Sequence, residues 1–177
     1  LVNPRQLAHY REAVNVRNKT DPQDAWLLAR YLMHEGNQLS AWQPQCRQAQ
    51  RLWALLKRRA LVVASHKQLQ QSFKEIRLSA QALFTQFRHL LARIDQHISK
   101  LIRTLGWTDD YRRCLSIPGI GPLNAAALVT AYHRGTFASS DAFIAFLGMD
   151  VRLRESGRYK GKRKLTKRGE AELRRLL

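Results

Sequence analysis

The chain has 177 residues, enough for one ordinary domain or two small ones, and carries a formal net charge of +18. Such an excess favours a phosphate-rich partner, with nucleic acid foremost. It argues against a membrane role, because no apolar run approaches the ~20 residues of a span and neither a strongly apolar helix face nor a lipid signal accompanies the charge.

Asp21-Pro22-Gln23-Asp24-Ala25-Trp26 predicts a helix running to about His34 and ending at Gly36-Asn37, with Trp26, Leu27, Tyr31 and Leu28 as its buried stripe. Leu39 to Gln45, with Pro44, reads as a connector. From Cys46 to Leu105 there is no glycine or proline. Leu52, Leu55, Val62, Leu69, Phe73 and Ile76 recur at steps of three and four, interrupted by Arg59 and His66. Phe87, Leu91, Ile94, Ile98, Leu101 and Leu105 repeat that spacing more cleanly, which is a coiled-coil period. One helix of ~90 Å and a hairpin breaking near Leu78-Ser79 both fit, with the partner helix in the same chain or in another copy.

Gly106-Trp107 closes this section. A small domain follows, with helices expected around Asp109–Leu115, Leu123–His133 and Asp141–Leu147, the last capped by Ser139 or Ser140. Residues 151–164 read as a loop or short hairpin, and 166–177 as helix. The opening Leu1-Val2-Asn3-Pro4 and the close at Arg174-Arg175-Leu176-Leu177 suggest a piece of a longer protein, cut at both sides. Cys46 and Cys114 are too few and too far apart for a zinc site or a disulfide framework and suit a reducing cytosol, and the six histidines show no metal-ligand spacing.

Three features carry chemistry. In Ser116-Ile117-Pro118-Gly119-Ile120-Gly121-Pro122, Gly119 and Gly121 permit a tight turn in left-handed backbone angles, Pro122 suits a first helical turn, and Ala125 allows close helix approach. This fits a helix-hairpin-helix, whose amides grip phosphates without choosing bases, and it fits a plain turn between core helices. Ser156 lies among Arg152, Arg154, Arg158, Lys160, Lys162, Arg163, Lys164, Lys167 and Arg168. Guanidinium groups neutralise a phosphoryl centre under nucleophilic attack, yet only Glu155 is near enough in sequence to accept the serine proton, and a basic loop that simply binds phosphates is equally described. Asp21 and Asp24 flank Pro22. They read as an N-cap with a second dipole-favouring acid, or as two carboxylates sharing a helix face to hold Mg²⁺.

Taken together, Lys19-Thr20-Asp21-Pro22-Gln23-Asp24-Ala25, Ser116 to Pro122, Ala145-Phe146-Leu147-Gly148-Met149, Glu155-Ser156-Gly157 and Thr166-Lys167-Arg168-Gly169 resemble, in order, segments of a DEDD-type bacterial insertion-sequence transposase family. These are recombinases guided by a bridge RNA. The resemblance implies residues 1–44 as the end of a RuvC-like (RNase H-fold) domain, 45–106 as a helical coiled-coil segment and 107–177 as a transposase domain with a helix-hairpin-helix. It implies Asp21 and Asp24 as the third and fourth acidic residues on Mg²⁺, and Ser156 as the nucleophile that becomes joined to a DNA strand. It also implies DNA and a guide RNA as partners, a homo-oligomer through the coiled coil, and a cytoplasmic, nucleoid-associated location.

The first two acidic residues of the pattern would lie upstream of Leu1. Thr166 stands where the family often has serine, and Glu170 where it has a small polar residue. On this reading the chain is a mainly α-helical piece of a transposase, inactive by itself. A non-catalytic helix-hairpin-helix binder and a metal-dependent junction-cleaving nuclease are the alternatives.

Overall fold

Helix α1 (Pro4–Ala13) starts where Asn3 Oδ1 accepts the Arg5 amide at 3.0 Å and Pro4 enters the first turn, where a missing N–H costs nothing. No apolar period announces this helix, and it buries none of its own side chains. The computed structural model describes residues 2–39, 43–76, 78–153, 155–156 and 159–177. Over these the chain is mainly α-helical and divides into two compact units, Leu1–Pro44 and Gln45–Leu177.

In the first unit, α1 packs on α2 (Asp21–Glu35), which buries Leu27 and Tyr31. Tyr10 meets Tyr31 edge-on, with ring centroids 5.0 Å apart. Trp26, expected in the buried stripe, is instead half exposed, with the Arg30 guanidinium over its ring. Two helices leave a core only about one side chain wide, and Leu27 and Tyr31 fill it. A short 3₁₀ turn, Gly36–Gln38, ends the helix where Gly36-Asn37 predicted.

In the second unit, the glycine-free stretch is a hairpin. Helix α3 (Arg47–Ser72) and α4 (Gln81–Thr104) are joined through a 3₁₀ turn at Phe73–Glu75. Their lengths, about 39 and 36 Å at 1.5 Å per residue, replace the single long rod. Cross-helix contacts pair Arg59 with Asp95, His66 with Phe87 and Phe73 with Phe84, the register of antiparallel helices. The two residues that break the apolar seam are thereby accommodated. Arg59 donates to both Asp95 carboxylate oxygens at 2.6 and 3.1 Å, and His66 stacks on Phe87 at 5.1 Å.

At the open end of the hairpin lie α5 (Thr108–Leu115), α6 (Pro122–Tyr132), α7 (Ser140–Leu147) and α8 (Ala171–Leu176). Helix α6 is the hub. Ala125, Ala126, Ala127 and Ala131 are at most 1% exposed, and their small side chains let α3, α4, α5 and α8 approach closely. Leu52 and Leu56 of α3, Ile94, Ile98 and Ile102 of α4, Leu147 of α7 and Leu173 of α8 complete one continuous core. Burying each of the larger aliphatic side chains is worth about 1.5–3 kcal/mol. Thr130, the buried polar residue of α6, donates its hydroxyl to the Ala126 carbonyl at 2.6 Å and so leaves no orphan group.

Between α7 and α8 run four two-residue strands, β1 (Val151–Arg152), β2 (Glu155–Ser156), β3 (Tyr159–Lys160) and β4 (Lys164–Leu165). β1 pairs antiparallel with β4, and β2 with β3, as nested ribbons. Helix α8 is shorter than the expected 166–177, because Thr166 to Glu170 form an irregular connection ending in the Glu170 cap.

Candidate nucleic-acid interface

The turn between α5 and α6 takes its shape from one glycine. Gly119 has φ +88°, in the left-handed region that excludes most side chains, and the Ile120 amide reaches the Ile117 carbonyl at 3.1 Å. Gly121 departs from expectation. As the residue preceding α6 it has φ −85° and ψ 173°, extended backbone open to any residue, so one left-handed position suffices here. Pro122 enters the first helical turn as expected, and Ala125 is fully buried. The opening amides of α6, lacking intrahelical partners, supply donors and the positive end of the helix dipole. Acid at the start of α5 (Asp109 and Asp110) is offset by Arg112 and Arg113, at 3.6 and 3.4 Å from those carboxylates.

Ser156 is exposed on the β2–β3 ribbon and lies opposite Tyr159, while Glu155 lies opposite Lys160. Successive strand residues face opposite sides, so the Glu155 carboxylate and the Ser156 hydroxyl project from opposite faces. The nearest acid in sequence is thus poorly placed to take the serine proton. Tyr159, exposed and across from Ser156, was not singled out from sequence, since cross-strand pairing depends on a register that spacing alone does not give.

The outer ribbon adds Arg152 opposite Lys164. Lys160, Lys162, Arg163, Lys167 and Arg168 are all exposed along the same segment, so the residues that follow the serine strand carry a basic surface. Lys167 adopts φ +56°, and its amide donates to the Gly148 carbonyl at 3.1 Å, so this cation is held by backbone rather than by a side-chain pair. Arg154, Gly157 and Arg158 lie outside the described residues.

The paired aspartates sit at the start of α2 in the other unit. Thr20, not Asp21, is the residue preceding the helix, and Asp21 and Asp24 both lie in the first turn. The capping expectation is thus corrected by one position, because Thr20 keeps extended backbone and Asp21 is already helical. The Asp24 carboxylate accepts from Arg11 of α1, a partly buried pair that no sequence pattern announced. Asp21 and Asp24 offer the hard oxygen donors that Mg²⁺ prefers. They are only two, however, and one is already neutralised by Arg11. Among the described residues no three acidic, histidine or cysteine side chains gather as a metal site. The donor type fits a divalent ion and the donor number does not.

Two family matches bear on this arrangement. Residues 1–79 match a model of DEDD-type insertion-sequence transposases described as "Transposase", and residues 111–177 match "Transposase IS116/IS110/IS902 family". The chain belongs to this family of DEDD-type insertion-sequence transposases. Among curated proteins it is 31% identical to the pilin gene-inverting proteins of Moraxella lacunata and Moraxella bovis, over 89% of this chain and 50% of each relative. The chain spans about half the length of the curated relatives it matches. The second family match takes in most of α5, the whole α5–α6 turn, α6, α7, both ribbons and α8, and the first takes in the aspartate pair. No helix among the described residues is long and apolar enough to cross a membrane.

Proposed function

We propose that this chain is part of a DNA transposase that cleaves and exchanges strands through a covalent link between Ser156 and DNA. The observation that carries this reading is the exposed Ser156 on a ribbon flanked by basic residues, within a segment matched by a transposase family. In the proposed step, Ser156 Oγ forms a bond to a backbone phosphorus while the bond from phosphorus to a deoxyribose oxygen breaks. The serine proton ends on the released sugar hydroxyl. The phosphodiester energy is kept in the serine ester, so a second strand's hydroxyl can reverse the exchange without a high-energy cofactor.

Arg152, Lys160, Lys162, Arg163, Lys167 and Arg168, with Arg154 and Arg158, would neutralise the phosphates on either side of that centre. The α5–α6 turn, read as a helix-hairpin-helix, would hold the duplex through Gly119 and the first amides of α6. Because Glu155 projects from the opposite face, the serine proton would be taken by a group from elsewhere, on the same or another protomer. Asp21 and Asp24, as the end of a RuvC-like fold, would hold Mg²⁺ with further carboxylates from the rest of the protein. A guide RNA would choose the target, and subunits would associate through the α3–α4 hairpin, where Leu61, Leu83 and Leu90 are exposed. Relatives named for inverting a pilin gene support a strand-exchange reading.

The test is denaturing electrophoresis of the full-length protein with labelled donor DNA. A covalent adduct that disappears in Ser156→Ala supports the nucleophile; unchanged recombination by Ser156→Ala rejects it.

The Arg11–Asp24 pair favours a second reading, a non-catalytic clamp in which the aspartates are structural. That reading expects full-length Asp21→Asn and Asp24→Asn proteins to behave as wild type in recombination. A nuclease built on the metal site alone would instead keep cutting after Ser156→Ala and stop after Asp24→Asn.

A further inference from the structure

A second cluster of cations lies in the unit Gln45–Leu177, on elements separate from the serine strand. Lys57 of α3 and Arg134, just beyond α6, converge on one carboxylate, Glu170, with Nζ and Nη1 at 3.2 and 4.0 Å from its Oε1. The Arg134 guanidinium lies 4.8 Å from the Trp53 ring and 5.8 Å from the Phe146 ring, and Lys57 lies 5.2 Å from Trp53 on its own helix. Arg134, Phe146, Arg168 and Glu170 line an open cleft of about 460 Å³.

The charges in this cleft do not balance. Two cations, Lys57 and Arg134, meet a single carboxylate with Arg168 also lining the cleft, and at 4.0 Å that carboxylate attracts Arg134 without hydrogen-bonding to it. Arg134 Nη1 is buried and lacks a hydrogen-bond partner among the described residues. A desolvated guanidinium N–H without an acceptor is unfavourable, so the cleft is built for an anion larger than one carboxylate. A phosphodiester has two non-bridging oxygens that can accept from Lys57 and Arg134 together, and the flat aromatic walls suit the adjoining sugar and base.

We propose that this cleft is a subsite for a DNA backbone phosphate, and that Glu170 occludes it by occupying the phosphate's place. The subsite rests on the DNA-binding reading above and adds to it a contact outside the ribbons and the α5–α6 turn. Its floor is fixed, because Gly169 packs so closely on the end of α7 that a Cβ there would lie 2.5 Å from the Leu147 carbonyl carbon. Opening the subsite therefore needs only rotation of the Glu170 side chain.

The experiment measures DNA affinity of the protein by fluorescence anisotropy across a salt series, with a short duplex and an RNA of equal length. Glu170→Gln is compared with wild type and with Asp141→Asn, an exposed acid on α7 that makes the same change in net charge. The expected result is binding to DNA about three- to tenfold tighter for Glu170→Gln than for Asp141→Asn, with a salt slope steeper by about 1. Adding Lys57→Gln to Glu170→Gln should remove the gain. Equal affinity of Glu170→Gln and Asp141→Asn, while wild type binds DNA with a steep salt dependence, overturns the subsite and leaves the broader reading standing. A gain confined to RNA overturns the DNA assignment, and absence of DNA binding by every variant overturns both.

Discussion

Gly148 and Gly169 meet backbone to backbone, joining the end of α7 to the segment that follows the ribbons. A Cβ on Gly148 would fall 2.8 Å from the Arg168 amide nitrogen, and one on Gly169 would fall 2.5 Å from both the carbonyl carbon and the carbonyl oxygen of Leu147. Arg174 Nη1 seals the junction by donating to the Gly169 carbonyl at 2.5 Å. This contact ties both roots of the nested ribbons to the α6 core, and so sets where Ser156 is carried.

Replacing either glycine with alanine should therefore destabilise the second unit. Overpacking costs about 1–3 kcal/mol, and Gly148, at φ +70°, adds about 1 kcal/mol of backbone strain. Urea denaturation followed by circular dichroism should show both variants with lower midpoints, Gly148→Ala the lower of the two. Wild-type midpoints would show that the backbone yields at this junction.

The two glycines of the α5–α6 turn should separate cleanly. Neither would bring a new Cβ within 4 Å of another group, but only Gly119 has positive φ. Gly119→Ala should lose about 1 kcal/mol of stability and weaken salt-sensitive DNA binding, whereas Gly121→Ala should change both little. Paired melting and anisotropy measurements check this, and equal effects at both positions would contradict it.

Across the hairpin, Arg59 and Asp95 form a two-bond ion pair, but the Asp95 side chain is about half exposed. Solvent screening limits its value to about 1 kcal/mol or less. A double-mutant cycle with Arg59→Met and Asp95→Asn should return a coupling of that size, reduced in high salt. A coupling of several kcal/mol would mean that the pair holds the hairpin together more than the aliphatic seam does.

Burial, and then the nearby Asp110 carboxylate, push the Cys114 thiol above its ordinary value. Because the folded protein holds that proton more tightly than the unfolded chain, the associated stability is present below the ordinary thiol pKa, about 8.5, and is lost as pH rises through the higher folded value. Alkylation with iodoacetamide at mildly alkaline pH should modify exposed Cys46 before Cys114. Asp110→Asn should quicken labelling of Cys114, and an unchanged rate would remove Asp110 as a cause.

Much of the second unit was legible in the residues themselves. The seam through Leu52, Ile94 and Ile98 announced packed helices, Ser139 announced the start of α7, and Gly106 marked the end of the hairpin. The hairpin's break near Leu78-Ser79 falls where the structure has it, between the 3₁₀ turn at Phe73–Glu75 and the start of α4 at Gln81, although no glycine or proline marks it. Helix α1 escaped notice because its polar sequence buries nothing, and its order comes from Tyr10 against Tyr31. At the candidate site, the order of motifs singles out Ser156, Asp21 and Asp24 only through the family resemblance, since chemistry alone does not choose them. The Arg11–Asp24 pair, the Gly148–Gly169 junction and the convergence of Lys57 and Arg134 on Glu170 join residues far apart in sequence, which local spacing cannot encode.

The most direct measurement is denaturing gel analysis of the full-length protein with labelled DNA, comparing wild type with Ser156→Ala. A covalent adduct present in wild type and absent in Ser156→Ala, with salt-dependent DNA binding retained by the variant, is the expected result. Recombination by Ser156→Ala at the wild-type rate would contradict the assignment of Ser156 as nucleophile.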